Sequence, residues 1–438
     1  METKVLKFGG SSLADSNQFK KVAEIIKSQD SRRYVIASAP GKRDEEDQKV
    51  TDLLYKCYIL SENEEDIDEV FKKIENRYNG IIEGLGLDFS LKEEFDKIRT
   101  SILHHVGSDY VCSRGEYLNS MILAEYLGYE FIDAEKRILF LEDGSFDSEK
   151  TNLVLSEVLK DNRYAVIPGF YGSMPNGTIK TFSRGGSDIT GSIVARAVDA
   201  DLYENWTDVS GMLMADPRCV ENPKVIDFIT YKELRELSYM GASIMHEDAI
   251  FPVKQSGISI NIRNTNAPED NGTMIVPEVD LNGADRIVTG IAGKRGFSTI
   301  NIEKDMMNIE IGFGRKILEV LENNNLAFEH LPTGIDTMSI IIISDTIKDI
   351  KEKIKDEIYE AVKADNVEIE DGLAMIAVVG RGMVKEKGTA MRIFSAIKDA
   401  SINIRMIDQG SSEINIIIGV AETDYIPALK TIYSEFVE

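Results

Sequence analysis

The sequence predicts an α/β protein in which a layered α/β domain is followed by two smaller α+β modules. Residues 4–38 give a buried strand, a glycine turn, a helix and a second buried strand, which is how layered α/β domains begin. After about residue 286 a strand–helix–strand–strand–helix pattern occurs twice, as expected for duplicated modules with small antiparallel sheets. Residues 268–283 are rich in Pro, Gly, Asn and Asp, so we place a domain boundary there.

Size and charge narrow the class of protein. With 438 residues the chain is too long for one hydrophobic core. Its 50 Lys and Arg residues against 75 Asp and Glu residues give a formal charge of −25, which argues against binding of nucleic-acid phosphates as the main role. The cysteines at 57, 112 and 219 lie far apart, and neither a signal-peptide pattern nor an apolar run of ~20 residues occurs. We therefore expect reduced thiols and a cytoplasmic protein.

The elements of the first domain follow from apolar spacing. Residues 4–8 and 34–38 are predicted strands, and Asp15 or Ser16 caps a helix with an apolar face at Phe19, Val22, Ala23 and Ile26. A second helix begins near Val50, where Thr51 is either a cap or a hydroxyl donor to a substrate. Surface helices without chemistry are predicted over residues 61–100. Further strands are predicted over residues 165–168, 202–206 and 258–263, and a helix over residues 233–239.

Two stretches of this domain carry charged residues beside glycines. Glu116 follows Gly115 near the predicted start of a helix, where it is either a favourable first-turn acid or a ligand for a substrate ammonium group. Residues 181–188 (Thr-Phe-Ser-Arg-Gly-Gly-Ser-Asp) form a predicted loop-to-helix junction. That junction is either an anion site built from Arg184 and the helix start, or a surface loop with Ser187 or Asp188 as an ordinary N-cap.

The two modules are predicted from shorter elements. The first copy has predicted strands over residues 298–302, 308–311, 327–331 and 338–344 and helices over residues 315–323 and 347–362. The second copy has predicted strands over residues 373–379, 403–408 and 413–420 and helices over residues 388–399 and 425–436, and a further strand is predicted over residues 287–292. Gly312-Phe313-Gly314 and Gly380-Arg381-Gly382 are either turns or small-anion sites.

The residues alone leave the chemistry open between phosphoryl transfer and anion binding. Cationic residues lie beside several predicted glycine turns, although the chain as a whole is acidic, and this suits a ligand with several negative charges such as a nucleoside triphosphate. These turns are at Gly9-Gly10, Gly115, 169–172, Gly185-Gly186 and Gly211. No G-x-x-x-x-G-K-[ST] loop and no protein-kinase signature occurs.

Five motifs resemble those of the aspartate kinase family, and they occur in that family's order. They are Lys7-Phe8-Gly9-Gly10-Ser11-Ser12, Ser113-Arg114-Gly115-Glu116, Gly169-Phe170-Tyr171-Gly172, Ser183-Arg184-Gly185-Gly186-Ser187-Asp188, and Trp206-Thr207-Asp208-Val209-Ser210-Gly211 followed by Asp216-Pro217-Arg218. The carboxyl-terminal duplication resembles the tandem ACT domains of the same family.

The resemblance implies a fold and a division of the chain. It implies a three-layer α/β/α amino-acid-kinase sandwich with a mostly parallel sheet over residues 1–283, and two ferredoxin-like α+β ACT domains. The first ACT domain would cover residues 298–371 and would be inserted in the second, which would cover residues 284–297 and 372–438. At this length no fused homoserine dehydrogenase is expected.

The resemblance also implies a reaction and roles for single residues. The protein would transfer the γ-phosphate of ATP to the side-chain carboxylate of L-aspartate, with Mg²⁺ bridging the phosphates and no side chain assigned as a metal ligand. Lys7 and Asp188 would be catalytic. The aspartate site would comprise Thr51, Glu116, Phe170, Arg184 and Ser187. The nucleotide site would comprise Lys7, Gly9, Gly10, Ser11, Thr207, Asp208 and Arg218. Leu213 and Ser243 depart from the commonest family pattern near the nucleotide base.

Regulation is the last expectation that the resemblance carries. An end-product amino acid, lysine before threonine, would bind at the ACT domains of a homodimer or homotetramer. The effector residues would be Met307, Phe313, Gly314, Ala327, Phe328 and Glu329. A solvated strand-end carboxylate is the alternative for Glu329.

Two other functions compete with aspartate kinase. One is another enzyme of the same fold that phosphorylates glutamate, acetylglutamate or a nucleotide, against which the Glu116 and Arg184 motifs and the two ACT modules argue. The other is an inactive ACT amino-acid sensor, against which Lys7, Arg184 and Asp188 argue.

Overall fold

The computed structural model describes residues 2–183, 185–242, 247–277 and 286–437. The chain forms two compact units. The first comprises Met1–Met212, Val225–Tyr231 and Ile244–Val279, and the second comprises Leu213–Lys224, Lys232–Ser243 and Asp280–Glu438.

Strands and helices alternate along the chain up to residue 277. They are β1 (Lys4–Phe8), α1 (Ser16–Lys27), β2 (Arg32–Ala37), α2 (Val50–Glu62), α3 (Asp68–Leu85), α4 (Lys92–Leu103), α5 (Ser108–Leu127), β3 (Glu130–Phe131), α6 (Ser148–Asp161), β4 (Ala165–Pro168), β5 (Tyr171–Ser173), β6 (Ile179–Thr181), α7 (Gly186–Ala197), β7 (Leu202–Thr207), β8 (Phe228–Thr230), α8 (Tyr231–Tyr239), α9 (Glu247–Ser256), β9 (Ser259–Asn264) and β10 (Thr273–Val276).

A mostly parallel sheet forms the middle layer of the first unit. Its strand order is β3-β4-β2-β1-β7-β9-β10-β8, and β10 pairs antiparallel with β9. Successive side chains of β1 point to opposite faces. On one face, Leu6 and Phe8 belong to the apolar core that α1, α2, α3 and α5 cover. On the other face, α7 packs on β1, β2 and β7, and the hydroxyl group of Tyr34 donates to the Leu159 carbonyl of α6. The predicted α/β/α layering is therefore confirmed.

The helix predicted after the first glycine turn forms as expected. Asp15 is its N-cap, and its carboxylate accepts the N–H groups of Asn17 at 2.8 Å and Gln18 at 3.0 Å. The predicted apolar face is buried against β2. The cap and the apolar stripe therefore fix both the start of α1 and the face that it presents to the sheet.

The helices predicted over residues 61–100 form as α3 and α4, but their apolar faces contribute more to the core than the prediction of surface helices without chemistry implied. Phe71, Tyr78 and Phe95 of α3 and α4 are buried in the core of the first unit. Tyr78 donates its hydroxyl hydrogen to the Gly115 carbonyl at 2.7 Å. Each of these helices has many charged residues and also one apolar face, whose residues are three or four positions apart.

The second corrected element is α5. Residues 113–116 lie in the middle of a continuous 20-residue helix, so Gly115 is not in a turn and Glu116 is not a first-turn acid. A Cβ atom on Gly115 would lie 2.8 Å from the Cβ of Ala39, so this glycine permits a close approach of α5 to the loop after β2.

The stretch placed at the domain boundary also contains a strand. Residues 273–276 form β10, which pairs with β9 and β8, so the sheet of the first unit extends further than the Pro- and Gly-rich composition suggested. Gly272, with φ of +69°, turns the chain into this strand. Residues 278–285 lie outside the described part of the chain.

From residue 286 onward the elements are β11 (Gly290–Glu303), α10 (Phe313–Asn323), β12 (Thr337–Ile343), α11 (Ser344–Ile347), α12 (Lys351–Val362), β13 (Asn366–Val379), α13 (Thr389–Asp399), β14 (Met406–Asp408), β15 (Asn415–Ala421) and α14 (Tyr425–Val437). The sheet of this second unit has the order β12-β11-β13-β15-β14, with every pair antiparallel. Two of its strands are 14 residues long and run through both halves of the sheet. Gly290–Lys294 of β11 pair with Val379–Met375 of β13, and the rest of β11 lies between β12 and the first half of β13.

Two strands predicted in the first module do not form. Residues 307–309 make a 3-10 turn between Met306 and Gly312, which have φ of +60° and +83°, so the alternating sequence there reverses direction instead of extending. In the stretch 327–331, His330 makes only an isolated bridge to Ile341. Pro332 lacks an N–H group and separates this bridge from a second isolated bridge, between Thr333 and Met338.

Arg381 has a structural partner in the second unit. Its backbone N–H and its guanidinium donate to the fully buried carboxylate of Glu233 at 2.9 and 3.0 Å, and Thr289 donates to the same carboxylate at 2.6 Å. The interpretation of Gly380-Arg381-Gly382 as a turn therefore fits better than an anion site. Among the described residues, no helix is long and apolar enough to cross a membrane.

Candidate active site

The carboxyl ends of β1, β2, β4 and β7 meet at one edge of the parallel sheet. The chain passes from β1 to β2 on one side and later returns to β7 on the other side of β1, so the connections diverge at β1. Ligands of open α/β sheets bind at such a point, outside the carboxyl ends of the strands. The topology therefore brings the loops that follow these four strands to one end of the sheet.

Lys7 lies at the end of β1, on the face covered by α7. Its ammonium group is 2.6 Å from Oδ1 of Asp188, and the two side chains are 10% and 17% exposed. Asn205, the register partner of Lys7 on β7, donates its amide N–H to the same Asp188 oxygen at 2.8 Å. The arrangement holds a largely buried cation in a fixed position, with Asp188 as its acidic partner among the described residues, which suits charge stabilisation.

The glycines after β1 have two different local roles. A Cβ atom on Gly10 would lie 2.9 Å from the Ala39 carbonyl oxygen, and the Gly10 carbonyl accepts the Gly41 N–H at 2.8 Å. Gly10 therefore allows the loops after β1 and β2 to pack backbone on backbone. A Cβ on Gly9 would meet the Lys7 ammonium at 3.7 Å, an ordinary contact distance. Ser11 follows in a 3-10 turn.

Glu116 is a buried carboxyl group with an unused acceptor. Its side chain lies on the middle of α5, 5% of its surface is exposed, and Oε2 has no hydrogen-bond partner among the described residues. Burial raises the pKa of Glu116 to about 8, although the backbone N–H of Ala39 and the charge of Arg114 act in the opposite direction. Such an oxygen is poised to accept from a cation. The methyl group of Thr51 lies near the preceding residue of α5, since a Cβ on Gly115 would be 3.7 Å from it.

The loop after β4 packs on the first turn of α7. Phe170 has φ of +82°, and its N–H donates to Oγ1 of Thr190 at 3.1 Å. A Cβ on Gly186 would lie 2.5 Å from the Phe170 ring, and a Cβ on Gly169 would lie 2.5 Å from Oγ of Ser187. The two glycines therefore bring Phe170 and Ser187, both predicted aspartate contacts, to the same helix start.

The interpretation of Ser187 or Asp188 as an ordinary N-cap is wrong. Gly185, with φ of +58°, occupies the N-cap position, and no side chain caps the helix. Ser187 and Asp188 are the second and third residues of α7. Asp188 therefore lies in the first turn and pairs with Lys7 instead of capping. Arg184 and Ser243 lie outside the described residues.

The predicted nucleotide residues are distributed over both units. Thr207 ends β7, and its hydroxyl donates to Oδ1 of the exposed Asp208 at 3.1 Å. Arg218 belongs to the second unit, where its guanidinium is 2.7 Å from Asp216 and its side chain is 87% exposed. That guanidinium lowers the pKa of Asp216. Leu213 also belongs to the second unit. In the described part of the chain, no group of three or more His, Cys, Asp and Glu side chains is arranged as a metal site.

The predicted effector residues fall into two segments of the second unit. Met307 and Phe313 are buried around the turn before α10, with Gly314 in its first turn. Ala327 and Phe328 are exposed, and the carboxylate of Glu329 accepts the hydroxyl hydrogen of Tyr239 from α8. Glu329 therefore has a protein partner and is not simply a solvated strand-end carboxylate.

Comparison with known proteins decides the family. The amino acid kinase family profile matches residues 2–264, and an ACT domain profile matches residues 376–436. Aspartokinase 3 of Bacillus subtilis (strain 168) is 40% identical over 452 residues, which cover 99% of this chain and 98% of that protein. The chain belongs to the aspartokinases. This aspartokinase is an enzyme of the kinase class, as the motifs predicted.

Solved structures agree with that assignment. The crystal structure of Clostridium acetobutylicum aspartate kinase has a TM-score of 0.90 and 53% identity, with full coverage of both chains. Escherichia coli aspartokinase III, solved with aspartate and ADP, has a TM-score of 0.75 at 23% identity over the full length of both chains, which shows the shared fold. The predicted fold class is therefore confirmed for the aspartokinase as a whole.

Two features of the site were missed by the sequence interpretation. The sequence gives only a weak indication of Asn205, which is a polar residue at a buried position of β7. Arg77 was assigned to a helix without chemistry, yet it is buried and donates to the Gly41 carbonyl at 2.9 Å and to both oxygens of Asp47. It therefore holds the loop between Gly41 and the start of α2, where Thr51 lies. No local sequence pattern indicates a contact between residues that are 36 positions apart.

Proposed function

We propose that this aspartokinase transfers the γ-phosphoryl group of ATP to the side-chain carboxylate of L-aspartate, giving 4-phospho-L-aspartate. This would be the first step of the pathway that leads from aspartate to lysine, threonine and methionine. The observation that carries the proposal is the free oxygen of Glu116, a buried acceptor on a helix that packs on the loop after β2. An amino-acid substrate supplies the cation that such a group lacks.

The aspartate site in this proposal is built around Glu116. Its carboxylate accepts from the α-ammonium group, and Arg184 holds the α-carboxylate with its planar fork. Thr51, Phe170 and Ser187 complete the pocket. The positive φ of Phe170 and the tight glycine contacts around it support a fixed wall, because a preorganised site loses little entropy when substrate binds.

The phosphoryl group is handled by Lys7 in this proposal. The Lys7 ammonium group stabilises negative charge on the transferred group, while Asp188 and Asn205 keep that ammonium in position. The substrate carboxylate is already a nucleophile at neutral pH, so no general base is required. Catalysis then rests on positioning and on charge stabilisation.

ATP and Mg²⁺ are the cofactors that we propose. The residues after β1 fit a phosphate chain, since Gly9 has only ordinary contacts around its missing Cβ and Lys7 lies beside it. Thr207 and Asp208 lie at the end of the neighbouring strand, and Arg218 is the third proposed nucleotide contact. Bound Mg²⁺ would neutralise charge on the phosphates.

The proposal also covers the regulation, the assembly and the location of the protein. Escherichia coli aspartokinase III, solved with lysine and aspartate, is 25% identical with a TM-score of 0.74, which supports lysine as the effector before threonine. We propose that lysine binds near Met307, Phe313 and Glu329 in a homodimer or homotetramer formed through the ACT domains. The unpaired cysteines support a cytoplasmic location.

A substrate panel tests the activity. Purified protein is assayed for ADP release with Mg-ATP and L-aspartate, D-aspartate, L-glutamate, N-acetyl-L-glutamate or succinate. We expect rapid turnover with L-aspartate and at least about a hundredfold lower kcat/KM with succinate, which lacks the ammonium group that Glu116 would bind. Preferred turnover of another acid would favour a different enzyme of the fold, and the absence of ADP with every acid would favour an amino-acid sensor.

A further inference from the structure

The backbone at the end of β2 is hydrogen-bonded to two neighbours in the candidate active site. The Ser38 N–H donates to the carbonyl of Phe8, at the end of β1, at 3.2 Å. The Ala37 carbonyl accepts the N–H of Gly169, in the loop after β4, at 3.1 Å. Because β2 lies between β1 and β4 in the sheet, residues 37–39 connect the proposed phosphate loop with the loop that forms a wall of the proposed aspartate pocket.

Helix α5 holds the next peptide unit of this segment with two of its side chains. The amide nitrogen of Asn119 donates to the Ser38 carbonyl at 2.7 Å. The Ala39 N–H donates to the carboxylate of Glu116, which lies three residues earlier on the same helix. The carbonyl of Ser38 and the N–H of Ala39 belong to one planar peptide unit. Both polar groups of that unit are therefore bonded to α5.

The amide of Asn119 has one orientation in this contact. Asn119 is fully buried, and a carbonyl group can only accept, so the amide nitrogen and not the amide oxygen faces Ser38. The amide oxygen Oδ1 has no hydrogen-bond partner among the described residues. The bond to the Ser38 carbonyl is therefore the contact through which the Asn119 side chain acts on the backbone after β2.

The same peptide unit determines which carboxylate oxygen of Glu116 is free. One oxygen accepts the Ala39 N–H, and Oε2 has no partner among the described residues. Ala39 itself is tightly packed, since a Cβ on Gly10 would lie 2.9 Å from its carbonyl oxygen and a Cβ on Gly115 would lie 2.8 Å from its Cβ. A carboxylate that is fixed through one oxygen presents the other in a constant direction, as the binding of an ammonium group in one position requires.

We propose that Asn119 is a positioning residue of the aspartate site, which holds the peptide unit between Ser38 and Ala39 and thereby directs Glu116 at the ammonium group of the substrate. The inference rests on the function proposed above, and in it Asn119 acts through Glu116. Loss of the amide leaves the buried Ser38 carbonyl without this partner, so the peptide unit loses a restraint and Glu116 loses its fixed orientation.

Steady-state kinetics of Asn119→Ala in the full-length protein tests this role. ADP release is measured at pH 8.5, where Glu116 is mostly ionised, with L-aspartate and Mg-ATP varied in turn. We expect the KM for aspartate to rise about tenfold, while kcat and the KM for ATP stay within about threefold of the wild type. Asn119→Ser keeps a donor of shorter reach, and we expect it to raise the aspartate KM about fourfold.

Two comparisons separate positioning from a general structural effect. Ser120→Ala removes a fully buried hydroxyl group at the next position of α5, and that hydroxyl has no hydrogen-bond partner among the described residues. We expect this control to leave the aspartate KM within about twofold of the wild type. The second comparison is a double-mutant cycle with Glu116→Gln. If Asn119 acts through Glu116, Asn119→Ala should raise the aspartate KM less than about threefold in the Glu116→Gln background.

An aspartate KM within about twofold of the wild type in Asn119→Ala would overturn the role of Asn119 and leave the proposed kinase activity intact. A rise of the same size in the Glu116→Gln background, or equal rises in both KM values, would indicate a general structural role and overturn it as well. If the wild type does not phosphorylate aspartate, the proposed function fails, and the role of Asn119 fails with it. If Asn119→Ala does not fold, the same comparisons are made with Asn119→Ser.

Discussion

Replacing Glu116 by Gln removes the charge of a buried carboxyl group and keeps its shape. The hydrogen bond from the Ala39 N–H to the side chain is retained by the amide oxygen, so the change falls mainly on the interaction with the substrate ammonium group. A hydrogen bond to a charged partner contributes about 1–2 kcal/mol more than a neutral one, and the burial of Glu116 places it at the upper end of that range. We therefore expect the KM for L-aspartate at pH 8.5, where the free enzyme carries mostly ionised Glu116, to rise roughly 30-fold, with a smaller change in kcat.

The same substitution is expected to change the pH dependence of the KM. Burial raises the pKa of Glu116 to about 8, so most of the free enzyme carries a neutral Glu116 at pH 7. Because the ammonium group needs the ionised form, the wild-type KM for aspartate should fall about tenfold per pH unit between pH 6 and 7.5 and level off above about pH 8. In Glu116→Gln this dependence should be absent.

The free energy of unfolding should fall as the pH rises, over the same range in which aspartate binding is expected to become stronger. The unfolded chain ionises Glu116 near its ordinary pKa of 4.5, whereas the folded chain keeps the proton until about pH 8. Within that window the unfolded state binds fewer protons, so the free energy of unfolding falls as the pH rises, and the loss is complete above about pH 8. Glu116→Gln lacks this loss, and we expect it to unfold at a higher temperature than the wild type at pH 8.5 and at a similar temperature at pH 5.

Initial rates of ADP release at saturating ATP, with aspartate varied from pH 6 to 8.5, measure the kinetic part of this prediction. Glu125→Gln is the matched control, since it removes an exposed carboxylate from the same helix. A KM in Glu116→Gln that stays within about threefold of the wild type at pH 8.5, together with a wild-type KM that does not depend on pH, would refute the assignment of Glu116 to the ammonium group.

Three further substitutions separate the proposed roles. Lys7→Ala should lower kcat by about 100-fold or more with little change in the aspartate KM, and near-normal turnover would contradict its role on the phosphoryl group. Arg184→Ala should mainly raise the aspartate KM, because it removes a charge-assisted pair, and an unchanged KM would contradict that assignment. Arg77→Lys keeps the charge but cannot contact the Gly41 carbonyl and Asp47 with one fork, so the aspartate KM should rise about fivefold while Lys73→Ala, an exposed change on α3, leaves it unchanged. Steady-state kinetics with both substrates varied measures all three.

Local signals in the sequence predicted the elements whose causes are local. Asp15 as N-cap of α1, the buried strand β1 and the strand β7 follow from capping, apolar runs and spacing within a few residues. The prediction of these elements required no knowledge of distant contacts. The family motifs singled out Lys7 and Asp188, but the ion pair between them was not predicted from the sequence.

The errors arose where distant contacts decide the outcome. The strand predicted over residues 308–311 alternates correctly, but the chain turns at Met306 and Gly312, and among the described residues no strand pairs with it. Glu116 was placed near a helix start because Gly115 resembled a turn residue, whereas this glycine serves the close packing of α5 on Ala39. Arg77 was missed because its partners lie in another loop.

The identity of the phosphorylated product tests the central claim most directly. Purified protein is incubated with Mg-ATP and L-aspartate, the reaction is followed by ³¹P NMR, and the product is trapped with hydroxylamine and identified by mass spectrometry. We predict an acyl phosphate formed in an amount equal to the ADP, which yields the 4-hydroxamate of L-aspartate. Formation of ADP without an acyl phosphate, or no reaction of aspartate at all, would contradict the proposed function.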